Sequence, residues 1–142
     1  MINRALGAAA LAVCAGCSSS SGGQVICSPC RPPAMVTVTG VTALPGDGWR
    51  LRLCVGDQPC QVIGVPRRAA DCGRVACSLT DTGALQVILD QRDARALANI
   101  PVRVTAYRPS RRDQRQGATT MKFVPDEGPC RCEYSYAIVT LA

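Results

Sequence analysis

Ten cysteines hold most of the chemistry open to this 142-residue chain, and the pair in Cys27-Ser28-Pro29-Cys30 is the sharpest of it. Thiol–disulfide oxidoreductases use that CxxC spacing, with the first thiolate exposed at a helix N-terminus and attacking a substrate disulfide. The surroundings argue otherwise. A Ser/Gly run precedes the motif, Arg31-Pro32-Pro33 disfavours a following helix, and no βαβ pattern encloses it. Together with Cys130-Arg131-Cys132, the same residues could offer four thiolates to Zn²⁺, but CxC is not the usual second knuckle and exported thiols oxidise. Haem attachment through CxxCH fails because Arg31 stands in the His position.

The chain contains no His. This excludes Ser-His-Asp and Cys-His catalytic pairs, HExxH zinc hydrolases, His-ligated haem and an imidazole general base. Asp126-Glu127 sit beside Gly128-Pro129 in an expected turn, and no other close carboxylate pair suggests a glycosidase or a Ca²⁺ loop. Asp81-Thr82-Gly83 resembles the short active-site triplet of aspartic proteases, which follows an apolar strand. Here Leu79 and Thr80 precede it and Cys77 interrupts the run. No catalytic constellation, metal site or cofactor is expected.

Sixteen basic residues against ten acidic give a net charge of +6. All but Lys122 are Arg, which reads as genome composition and not as a nucleic-acid footprint. Four Arg fall within residues 108–115, between the expected fifth and sixth strands. As a surface loop, Arg108, Arg111, Arg112 and Arg115 could contact anionic headgroups, cell-wall polymers or an acidic partner, each adding about 1 kcal/mol at a charged membrane. No aromatic is interleaved to stack on a base or sugar, so a plain solvated loop competes with that role. Tyr134 and Tyr136 alternate with Ser135 and Ala137 on the last expected strand and read as core or edge packing.

The elements that must position these residues begin with a targeting segment. Met1-Ile2-Asn3-Arg4 is followed by uncharged residues 5–16, and twelve apolar or small residues span about 18 Å of helix, short of the ~30 Å hydrocarbon core. This is the n-region and h-region of a secretory signal peptide. Cys14-Ala15-Gly16-Cys17, followed by the Ser/Gly run 18–23, resembles the bacterial lipoprotein signal over residues 1–23. In that family a small pair precedes an invariant Cys, which becomes diacylated and forms the new N-terminus. Ala15 and Gly16 fit the two positions before cleavage, while Cys14 stands where an aliphatic residue is usual. Registering the motif on Cys14 would put Val13 at the cleavage position. The resemblance implies lipidation of Cys17, and two acyl chains, at about 0.8 kcal/mol per buried methylene, anchor a protein stably where one does not. An ordinary signal peptide, with Cys17 one more thiol, is the alternative.

Eight cysteines then remain: Cys27, Cys30, Cys54, Cys60, Cys72, Cys77, Cys130 and Cys132. An even number in a small exported domain reads as a disulfide framework with 105 formal pairings. Local spacing suggests Cys54 with Cys60, Cys72 with Cys77, and Cys27/Cys30 with Cys130/Cys132 joining the two chain ends.

The body of the chain reads as β. Trp49, Leu51, Leu53 and Val55 share one face while Arg50 and Arg52 point the other way. Similar runs at 35–42, 60–65, 84–89, 101–107, 119–124 and 132–141 bring the count to seven, with turn residues at 44–48 and 56–59 and a longer loop over 66–83. Asp90 and Asp93 predict a capped short helix through Ala98. The fold class expected is all-β, an immunoglobulin-like two-sheet sandwich of about seven strands with one short helix, disulfide-stapled; a Greek-key barrel is the runner-up. The Trp49 strand is expected to pack against Val87, Val104 and Ile138.

The organisation expected is a signal peptide over 1–16, a lipid-anchored tether over 17–25 and a β-sandwich over 26–142. Such a chain is expected to serve as an exported, lipid-anchored envelope protein on the outer face of a bacterial membrane, as a non-catalytic binding or structural module. A thiol–disulfide redox protein acting through Cys27 and Cys30 is the alternative. The partners expected are the membrane, through the N-terminal acyl chains, and an envelope protein or anionic polymer, without nucleic acid.

Overall fold

Alternation turns into strand wherever one face of the chain is apolar. A computed structural model describes Gly23, residues 25–65, Cys72 and residues 75–142. Cys17 and the expected signal peptide lie outside the described residues. Nine strands form among those described: β1 (Ala34–Thr39), β2 (Arg50–Val55), β3 (Gln61–Gly64), β4 (Cys77–Leu79), β5 (Leu85–Ile88), β6 (Pro101–Tyr107), β7 (Gln114–Thr120), β8 (Lys122–Val124) and β9 (Tyr134–Thr140). They build an all-β sandwich of two sheets, ordered β4-β5-β1-β9-β8 and β3-β2-β6-β7. Val36, Val38, Leu85 and Val87 from the first sheet are buried with Leu51, Leu53, Val102 and Val104 from the second, as are Trp49 and Ile63. Each such burial contributes about 1.5–3 kcal/mol, before the entropy of ordering is set against it.

The connectivity follows the immunoglobulin plan over seven strands. In that plan strands A, B, E and D share one sheet and C, F and G the other, with C′ added beside C in variable-type domains. β1 to β7 occupy the places of B, C, C′, D, E, F and G in order, and every neighbouring pair among them is antiparallel. The place of strand A is taken from the other end of the chain. β9 lies parallel to β1 over Ala34↔Ser135 to Thr39↔Thr140, and β8 closes that edge antiparallel to β9.

Four expectations are corrected. Two strands exceed the seven foreseen: β4 lies within the presumed 66–83 loop, and β7 begins inside the basic stretch. The run 119–124 is not one strand; it breaks at fully buried Met121, where the chain leaves the sheet of β7 for that of β8 and the Met121 N–H donates to the Ile100 carbonyl at 2.8 Å. The capped helix is a single 3-10 turn, Arg95–Leu97, where Asp93 Oδ1 accepts the N–H groups of Arg95 (3.0 Å) and Ala96 (3.2 Å).

The fourth concerns Ile138, which is 55% exposed on the outer face and does not join the Trp49 strand in the core. The inward set on β9 is Ser135, Ala137 and Val139. Small residues are required there because β7 and β9 approach from opposite sheets: Gln116 and Ala142 exchange two backbone hydrogen bonds, at 3.2 and 3.1 Å. A Cβ on Gly117 would collide with the Thr140 carbonyl oxygen and stand 2.5 Å from Val139 Cγ1. Parity in a strand is all-or-none, so selecting Ser135 inward sends Ile138 out.

Candidate functional site

The four outermost cysteines among the described residues meet in space. Cys27 is bonded to Cys130 and Cys30 to Cys132, with Cα–Cα distances of 5.5 and 5.2 Å. Cys54–Cys60 spans the β2–β3 hairpin, and Cys72 is bonded to Cys77. The CxxC motif is therefore not closed on itself, and the chain after Cys30 runs through Arg31-Pro32-Pro33 directly into β1, with no helix beginning there. Asp126 organises the opposing β8–β9 connection by accepting the backbone N–H groups of Cys132 and Gly128, both at 2.8 Å. Those two donors, Cys132 first, hold its carboxyl below the usual 3.8. A cleft of about 460 Å³ lies beside the bridges, walled by Pro29, Val124, Pro125 and Tyr134. Arg31 stands 5.6 Å above the Tyr134 ring, which packs 6.0 Å from that of Tyr136. Both tyrosines are half-buried on the outer face of the five-stranded sheet, so their packing is with each other and not in the core.

The four-stranded sheet presents a different surface. Residues directly opposite in antiparallel strands share a face. The outward set is thus Val62 and Gly64 on β3, Arg50 and Arg52 on β2, Arg103, Thr105 and Tyr107 on β6, and Gln114, Gln116 and Ala118 on β7. None of the nine strands contains an Asp or Glu. Three exposed guanidinium groups therefore stand on this face with no carboxylate from the strands beside them, and Arg52 lies 5.4 Å over the Tyr107 ring. A groove of about 540 Å³ runs from Arg52, Thr105 and Tyr107 to Arg111, Arg112 and Gln114.

The basic stretch divides when its residues are located. Arg108 is structural: its guanidinium lies 4.8 Å over the Trp49 ring, donates to the Pro45 carbonyl at 3.3 Å and pairs with Asp113. Trp49 itself is 5% exposed and donates Nε1–H to the same carbonyl at 3.0 Å. Arg111 and Arg112 sit in the turn that Arg108 and Asp113 brace, at the mouth of the groove. Arg115 lies on β7 opposite buried Ala106 and faces the other side of the sheet. Sequence reading missed Arg50, Arg52, Arg103 and Tyr107 as site residues, although their outward parity in apolar strands was legible.

Asp81-Thr82-Gly83 is the β4–β5 hairpin turn. Gly83 adopts φ +78° and donates its N–H to the Thr80 carbonyl at 2.9 Å, and Cys77 belongs to β4 instead of interrupting a strand. Among the described residues no three His, Cys, Asp or Glu side chains are grouped to hold a metal, and no helix is long and apolar enough to cross a membrane. Compared with known protein families, curated proteins and solved structures, the chain matches none.

Proposed function

We propose that this chain is an exported envelope protein, acylated at Cys17 and carried on the outer face of a bacterial membrane as a non-catalytic binding module. Four disulfides in so small a sandwich point to an oxidising, extracytoplasmic environment. The observation that carries the functional reading is the pairing of both CxxC cysteines across to Cys130 and Cys132, which leaves neither as an open thiolate for exchange chemistry. The same bridges fasten the segment that follows the tether to the β8–β9 connection, just ahead of the last strand. A load on the lipid anchor then passes into the middle of the five-stranded sheet through β1 and β9.

The test has two parts. Full-length protein expressed in a bacterial host should fractionate with membranes and carry the mass of a processed, diacylated chain, and Cys17→Ala should stay unprocessed or be released. Processing and membrane retention of that variant like the parent would refute lipid anchoring. Alkylation of the unreduced protein should add no mass, and alkylation after reduction should label all eight cysteines of the folded domain. Rapid labelling of Cys27 without reductant would refute the non-catalytic reading and favour the thiol-redox alternative.

A further inference from the structure

The outward face of the β3-β2-β6-β7 sheet carries an assignment more specific than a basic surface. Arg50 and Arg52 are two residues apart on β2, so their Cα atoms lie about 6.8 Å apart; Arg103 on β6 stands diagonally across from Arg52, about 7–8 Å away. Arg111 and Arg112 continue the row beyond the end of β6, across the groove that contains Tyr107. Among the described residues no carboxylate pairs with any of these five; the nearby acid, Asp113, is held by Arg108. Guanidinium groups recognise phosphate and carboxylate in bidentate geometry, and a row of them at a regular interval matches an anion repeated along a chain.

The flanking residues narrow the class. Thr105, Gln114 and Gln116 place uncharged donors and acceptors between the guanidinium groups, and Tyr107 offers one aromatic face for a ring or polyol stem. A membrane-docking face mixes basic residues with large apolar ones that enter the headgroup layer. Here Ile88 and Ile138 are on the opposite sheet, exposed Val25 and Ile26 precede the bridge from Cys27 to Cys130, and on the strands of the Arg-bearing face Val62 alone among large apolar residues is exposed. An extracytoplasmic setting disfavours nucleic acid.

We infer that this face binds a linear envelope polymer of sugar or polyol units carrying one phosphate or carboxylate per repeat, lying along the row from Arg103 through Arg52 and Arg50 to Arg112. The inference rests on the binding-module reading above and supplies its ligand class. The site spans three strands and a turn and is centred on β2 and β6, not on the 108–115 stretch.

The experiment uses the full-length, membrane-extracted protein and a synthetic glycerol-phosphate octamer, with neutral dextran of similar length as the blank. The octamer should bind with an affinity that falls steeply as salt is raised, and dextran should not bind. In Arg52→Gln/Arg103→Gln/Arg112→Gln, three surface pairs of ordinary strength are lost together, which multiplies to a weakening of about tenfold to a hundredfold. Arg92→Gln/Lys122→Gln/Arg131→Gln removes the same charge from exposed sites elsewhere and should bind like the parent. Unchanged Trp49 fluorescence establishes that each variant is folded. Failure of the octamer to bind, equal weakening in both triple variants, or tighter binding of an anionic vesicle or a DNA oligonucleotide overturns the assignment. Membrane fractionation of the Arg52/Arg103/Arg112 variant separates the two claims: a protein that remains anchored but binds no polymer loses the ligand assignment and keeps the envelope reading.

Discussion

Two bridges that close almost the same loop should not contribute equally, and the difference is measurable. Cys27–Cys130 and Cys30–Cys132 have sequence separations of 103 and 102 residues. In the chain-entropy model the first cross-link between these regions stabilises the fold by about 4.7 kcal/mol. Once either is closed, the other adds only a small ring through residues 27–30 and 130–132, about seven residues, for which the same relation gives about 2.4 kcal/mol. Cys27→Ala/Cys130→Ala should therefore cost about 2.4 kcal/mol, and so should Cys30→Ala/Cys132→Ala. All four substitutions together should cost about 7 kcal/mol, some 2 kcal/mol more than the two losses added. Typical domain stabilities are about 5–15 kcal/mol, so the quadruple variant falls near the limit of folding. Urea unfolding under non-reducing conditions gives each loss from its midpoint and slope, and the slope should rise most when the second bridge goes because the unfolded chain then expands. Strict additivity, or a loss near 4.7 kcal/mol from one pair alone, would refute the shared-loop reasoning.

Three further outcomes follow from the packing. Gly117→Ala should lower stability by about 1–3 kcal/mol in a urea titration, because its Cβ meets the Thr140 carbonyl oxygen; Gly64→Ala, with nothing within 4 Å, should stay close to the parent. Ser135 is fully buried and its Oγ donates to the Ala94 carbonyl at 2.5 Å, so Ser135→Ala leaves that carbonyl only the Leu97 N–H at 3.2 Å and should cost about 0.5–1.5 kcal/mol, whereas a neutral result would mean that the hydroxyl contributes nothing net. Asp126 has a folded-state value below 3.8, so its carboxylate stabilises the fold above that pH and the effect disappears as pH falls through the folded-state value. The stability gap between parent and Asp126→Asn should thus be flat near neutrality and shrink on acidification; a gap independent of pH would contradict the two backbone contacts.

Legibility in the sequence followed the chemistry of each element. β2 and β6 were readable because their inward positions are uniformly apolar and most of their outward ones are Arg, Thr or Tyr. β7 has no such contrast: Gln114 to Thr120 is exposed at most positions, so its strand character comes from pairing with β6. β4 is three residues long, below what any periodicity can register. The role of Arg108 was hidden for another reason, since its aromatic partner Trp49 is adjacent only after β2 and β6 pair. The parallel placement of β9 beside β1 leaves no local pattern at all. Only the grouping of Cys27 and Cys30 with Cys130 and Cys132 hinted that the chain ends meet. The candidate polymer site was half legible, because outward Arg could be assigned strand by strand but their alignment into one row depends on register.

For a chain exported as proposed, the order in which the cysteines would leave a secretion channel conflicts with the order in which they pair. An oxidase joining them as they emerge would link Cys27 to Cys30, Cys54 to Cys60, Cys72 to Cys77 and Cys130 to Cys132. Two of those links are native and two are not. Converting the remainder needs no net oxidation. A thiolate must open the Cys27–Cys30 link after the last strand has arrived, and the sulfurs then re-pair through mixed disulfides. Reaching the native pairing from those links accordingly requires exchange between bridges, with the Cys130 and Cys132 thiolates or an isomerase as the attacking group, beyond an oxidase that makes bridges.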